Sequence, residues 1–237
     1  MIDHVRDLAS VREATDRFLS AAGELGDDAV AGPSRLPGWT RGHVLAHIAR
    51  NADALVNVLA GRPMYASSES RDADIARDAA RPLDAHLADL RESAERLSAR
   101  AAVPADWSRT VVMRNGVTDQ AARVPFRRWI ELELHLVDLD AGYELTDLPE
   151  EFTGREIAFL AERWSGRPEV PAVTLVADDG RSWRTGGTAE GAPVTLTGSP
   201  VTLTGSPAAL LGWLAGRGGK GAELDTGGAA LPALPPL

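Results

Sequence analysis

The chain has 237 residues, 44% of them hydrophobic and 25% charged, with no cysteine and a formal charge of -9. That length buries enough surface to fold without disulfides or a structural metal, so any metal is expected to serve function. The missing cysteines exclude disulfide frameworks, cysteine-ligated zinc, iron–sulfur clusters and a protein thiol nucleophile.

An excess of acidic residues, 34 against 25 basic, argues against nucleic-acid or anionic-membrane binding, which needs clustered positive charge. No apolar run is long enough to span a membrane, and the N-terminus MIDHVRDLAS is charged where a signal peptide needs an apolar stretch. The protein therefore reads as cytoplasmic.

In chain order, Val5, Leu8, Val11, Phe18, Leu19, Ala22 and Leu25 recur at helical spacing and predict a helix from about Asp3 to Leu25. AGPSRLPGWT breaks regular structure, and Thr40 caps a second helix from Arg41 to about Ala60. Met64 to Asp78 is polar and reads as a long surface connection. A third helix follows from about Pro82 to Ala101. Residues 107–126 are ambiguous: VVM suits a short strand and Asn115-Gly116 a turn. A fourth helix runs from Pro125 to about Gly142. Four long helices with modest connections predict an antiparallel bundle.

Beyond Leu148-Pro149, one more helix from Glu150 to about Arg163 precedes AVTLVADDGRSWRT, read as a hairpin about Asp179-Gly180. VTLTGS then occurs twice, at Val194–Ser199 and Val201–Ser206, a local duplication that lengthens a loop or strand. Pro207 opens a short helix that Gly216 ends, and the Gly-, Ala- and Pro-rich tail from Gly218 is expected to be mobile. The reading is an α+β protein: a helical domain over 1–150 and a small α+β domain over 151–237.

Of the five histidines, His4 lies near a terminus and His86 among polar neighbours on the third helix, and both are expected at the surface. At about 100° per residue, His47 projects to the edge of the buried stripe on the second helix, and His43 more nearly outward. On the fourth helix Glu131 and His135 stack on one face, whereas Glu133 projects to the opposite side. Asp138, three residues after His135, is placed to hold the second ring nitrogen. His47, Glu131 and His135 make a two-histidine, one-carboxylate set that suits Zn²⁺, Fe²⁺ or a similar divalent ion with positions left open. An exposed Glu/His helix pair is the competing reading of that spacing. Trp39, Trp129 and Trp213 are expected to be core aromatics.

The segments LPGWTRGHVLAHIARNADAL (36–55) and RRWIELELHLVDL (127–139) resemble the mycothiol-dependent maleylpyruvate isomerases, which lie within the DinB-like superfamily of metal-binding four-helix bundles. PMYAS (63–67), RDADI (71–75) and LLGWLAGR (210–217) extend the resemblance over nearly the whole chain. The resemblance implies that His47, Glu131 and His135 bind a divalent metal, by preference Zn²⁺. It also departs from the family at Leu136, where relatives often carry another histidine, and in the tandem VTLTGS copy.

Its implied chemistry fits a chain without cysteine. Converting cis maleylpyruvate to trans fumarylpyruvate calls for transient loss of double-bond character, achieved by reversible addition of a thiolate, and mycothiol brings the thiol that the protein lacks. The implied metal lowers the pKa of that thiol. The partners so implied are a small-molecule substrate and a low-molecular-weight thiol. A dianionic substrate wants guanidinium partners. Arg217 is the first candidate as a catalytic arginine, against dipole compensation at a helix C-terminus; Arg50, Asn51 and Arg71 are further substrate-binding candidates. Two alternatives stay open: a mycothiol S-transferase that releases the adduct, and a noncatalytic, metal-free binding protein.

Overall fold

The computed structural model describes residues 2–103, 105–167, 169–187, 201–218 and 223–235. The chain divides into two compact units, Met1–Tyr143 and Glu144–Leu237.

In the first unit, α1 (His4–Gly23) begins where Asp3 Oδ1 accepts the Arg6 amide at 3.1 Å, and buries Val11, Ala14, Phe18 and Ala22 along one face. A short helix α2 (Asp27–Val30) precedes the Pro/Gly segment. Next, α3 (Arg41–Leu59) starts at a reciprocal cap: the Thr40 hydroxyl accepts the His43 amide, and the His43 ring accepts the Thr40 amide. This helix is the centre of the unit, with Val44, Leu45, Ile48, Ala52 and Leu55 at 1% exposure or less. Each aliphatic side chain so buried contributes roughly 1.5–3 kcal/mol.

Residues Ser68–Asp78, read from sequence as part of a connection, form a helix, α4. Ser67 and Ser70 cap it reciprocally, and only Ile75 and Asp78 are buried along its length, so no apolar stripe announced it. It seats tightly on α3: a Cβ on Gly42 would stand 2.0 Å from the Ala79 carbonyl oxygen.

Two more long helices complete the bundle, α5 (Leu83–Ala102) and α6 (Val124–Asp138). α1 packs on α5 and α6, and α3 packs on the same two, closing a four-helix ring. Between α5 and α6, β1 (Thr110–Val112) and β2 (Thr118–Gln120) form an antiparallel hairpin. Asn115 and Gly116 both take positive φ in its turn, the backbone that an Asn-Gly pair tolerates best. Val111 and Met113 lay the hairpin on Leu55, Leu59 and Leu97.

The second unit opens with α7 (Glu150–Trp164), which buries Phe152, Ile157, Leu160 and Trp164. β3 (Val173–Ala177) is the central strand of three, antiparallel to β4 (Ser182–Thr185) and parallel to β5 (Val201–Gly205). Its alternating burial, with Val173, Leu175 and Ala177 inside, is that of a strand covered on one face. The second VTLTGS copy is β5 and supplies the Ser206 cap of α8 (Pro207–Leu214), whereas the first copy lies outside the described residues. Residues 223–235 return to the sheet and helix instead of trailing away: Asp225 pairs with Thr204, and the Trp213 indole donates to the Pro232 carbonyl at 3.0 Å.

Candidate metal centre

Two helices build the centre. His47 sits on the second turn of α3, fixed by the Thr40–His43 cap, and α6, entered through Pro125, carries Glu131 and His135 one turn apart. Glu131 Oε2 lies 2.9 Å from His47 Nε2 and 3.3 Å from His135 Nε2. One ligand atom from each of the three residues falls within 4.8 Å of the others. The two imidazoles meet edge to face with centroids 4.6 Å apart. His47 is buried, while the Glu131 side chain remains 33% exposed, so the cluster is open on one side.

The surroundings hold these three side chains in place. Asp138 Oδ2 stands 2.8 Å from His135 Nδ1, leaving Nε2 to face Glu131. Trp39 sets its ring edgewise on His47 at 5.6 Å, a half-exposed neighbour of the centre and not the core residue its composition suggested. Arg71 of α4 brings Nη2 to 3.3 Å from His47 Nδ1 and its guanidinium over the Tyr65 ring.

The electrostatics follow from burial and pairing. Burial pulls the His47 pKa down to about 4, with the Glu131 hydrogen bond opposing and the His135 charge assisting, so its imidazole is neutral at neutral pH. Burial would also lower His135, but Asp138 and Glu131 outweigh it and raise the pKa. The Glu131 carboxyl is held well below its usual range because both imidazoles overcome the burial that would raise it. An ionised carboxylate facing two ring nitrogens is a donor set for a divalent ion.

The other candidates have neighbours of their own. Arg50 pairs with Asp89 at 2.5 Å and with Asp53 and Asp78, tying α3 to α4 and α5. Asn51 is buried and accepts from Arg128 Nη1 at 2.9 Å. Arg217 follows α8 in the second unit, where Nη1 donates to the Ala215 carbonyl at 3.0 Å. His43 serves as a cap, and His4 stacks on Trp107 at 4.5 Å. His86 departs from its expected surface position: it is 1% exposed, in the first turn of α5, where the Leu83 amide donates to Asp27 Oδ1 at 3.2 Å. Tyr65 was missed by sequence reasoning, although PMYAS contains it. Burial pushes its hydroxyl pKa up, and the Glu131 charge adds to that.

Two family models cover the chain: the mycothiol maleylpyruvate isomerase N-terminal domain matches residues 11–140 and the corresponding C-terminal domain matches residues 147–235. The chain belongs to the mycothiol-dependent maleylpyruvate isomerase family. A crystal structure of a mycothiol-dependent maleylpyruvate isomerase is 24% identical, with a TM-score of 0.87 over 99% of this chain and 97% of that one. A histidine-to-alanine mutant of such an isomerase is 26% identical, with a TM-score of 0.85 over 97% and 96% of the two chains. Among curated proteins none is similar enough to match. In this chain the residues that converge come from the GHVLAH and ELELH segments. No helix among the described residues is long and apolar enough to cross a membrane.

Proposed function

We propose that the protein catalyses the cis–trans isomerisation of maleylpyruvate to fumarylpyruvate, with mycothiol as its thiol cofactor and a divalent metal, Zn²⁺ by preference, held by His47, Glu131 and His135. The observation that carries this reading is the convergence of those three side chains on one open-sided point in a chain with no thiol of its own. When bound, the metal supplies Lewis acidity that keeps an incoming thiol ionised at neutral pH, so that it adds reversibly to the activated alkene.

The chain's own residues do the rest. His47 presents a neutral imidazole because its burial rejects a proton. Asp138 orients the His135 ring, and Trp39 packs against the His47 ring. Arg71, one helix away, offers a planar donor to a substrate carboxylate beside the metal. Tyr65 keeps its proton and stands as a hydrogen-bond donor at the same rim. Arg217 is proposed as the second carboxylate partner.

The test is to incubate the purified protein with maleylpyruvate and mycothiol and follow both by NMR and mass spectrometry. A trans product with full recovery of unmodified thiol is expected. A stable thiol adduct would make the protein an S-transferase, and the absence of stoichiometric metal with unchanged behaviour of His47→Ala would make it a metal-free binding protein.

A further inference from the structure

A second feature of the first unit lies between α1 and α5, where a groove of about 440 Å³ opens to solvent. Leu8, Val11, Leu19 and Leu97 give it apolar walls, and Arg128, reaching in from α6, forms part of its lining. Arg128 is 1% exposed. Its Nη1 donates to the Ile48 carbonyl at 2.8 Å and to Asn51 Oδ1 at 2.9 Å, both neutral acceptors. Among the described residues no carboxylate lies within ion-pair distance of it, although the charges of Glu131 and Asp53 act on it through space. A buried guanidinium without an adjacent counter-charge is costly, and bundles ordinarily supply one.

The charge survives that cost: burial lowers the Arg128 pKa only to about 10, so the group stays a cation at neutral pH. The rim of the groove does not neutralise it, since exposed Arg12 and Arg91 stand there beside exposed Asp16 and Glu95, two of each sign. An apolar cleft of this size with one buried cation is the usual form of a small-molecule site.

We propose that this groove is a second ligand site, for an amphipathic monocarboxylate whose carboxylate meets Arg128 and whose hydrocarbon body lies along Leu8, Val11, Leu19 and Leu97. The chemistry required is one anionic head and an apolar tail short enough for the volume, as in a medium-chain fatty acid. The site uses none of the three side chains assigned to the metal: apart from Arg128 of α6, its lining comes from α1 and α5.

Octanoate and 1-octanol serve as matched probes in isothermal titration. Octanoate is expected to bind once per chain and about tenfold or more tighter than the alcohol, the margin of a charge-assisted bond to a guanidinium. Ala94→Trp on α5 fills the groove and should abolish octanoate binding while leaving isomerase turnover unchanged. Ser98→Trp, at the same wall, repeats the test should the first variant fold poorly. Arg128→Met should bring the octanoate affinity down to that of the alcohol. Binding should persist in His47→Ala. The proposal is overturned by equal affinity for acid and alcohol, by octanoate binding that survives both tryptophan variants, by its loss in His47→Ala, which would put the anion at the metal centre, or by no binding at millimolar octanoate.

Discussion

Glu131 and Glu133 stand two residues apart on α6, on opposite sides of the same helix, and have opposite fates. Glu133 is fully buried and saturated: one oxygen accepts from Arg17 and from the Trp129 indole at 2.9 Å, the other from the Tyr143 hydroxyl at 3.3 Å. Its partners are a guanidinium, an indole N–H and a phenol hydroxyl, all of them donors, so the carboxylate is locked into the bundle. Glu131 faces two imidazoles and open space. Imidazole protons can leave, and then three lone pairs converge on one point. A carboxylate on this helix is thus suited to structure or to metal binding according to whether its partners can give up their protons.

The strongest test of this contrast is Glu131→Gln, which should reduce metal from stoichiometric to near none and take isomerase turnover with it, read by elemental analysis and product assay. Stability of the chelated protein should barely move. Glu133→Gln should do the reverse, costing about 1–3 kcal/mol in urea unfolding while the folded protein keeps its metal. Metal loss in that variant would break the comparison. Asp138→Asn should leave the fold intact and weaken metal affinity by about 10- to 100-fold in a chelator competition, since the acceptor that orients His135 is replaced by an amide.

A smaller effect separates His86 from the histidines of the centre. Burial lowers its pKa below 6.5, so as pH falls the unfolded chain takes a proton that the folded state refuses. The stability it supports is present above pH 6.5 and declines below it. His86→Leu should make the metal-loaded protein's stability fall less steeply between about pH 6.5 and 5, measured by urea midpoints across that range. An unchanged slope would mean that His86 reaches solvent.

The contrast also explains what the sequence could disclose. On α6 the four-residue spacing of Glu131 and His135 decides which side chains share a face, and helical geometry needs no partner to state it. What stands opposite that face depends on packing: Arg17, from a helix more than 100 residues earlier in the chain, identifies the role of Glu133. His86 was misjudged for the same reason, because its polar neighbours on α5 say nothing of the chain that covers it. α4 escaped detection because its signal is two serines three residues apart, with Ile75 and Asp78 alone buried. The Asn115-Gly116 turn and the Asp179-Gly180 hairpin were legible because local backbone sterics specify them. Arg50 and Asn51 lie in the most informative segment of the chain, yet their side chains turn to Asp89 and Arg128.

The bare backbone of Gly42 has a consequence at a distance. α4 rests flush on α3 at that point, and the same helix carries Arg71 to the far side of His47. A single methyl there would act as a wedge, tilting a lever whose other end lies against His47. On the proposed function, in which Arg71 meets the substrate, retuning substrate preference while sparing the metal-site side chains would begin at this contact, treating the angle of one short rod as the adjustable dial.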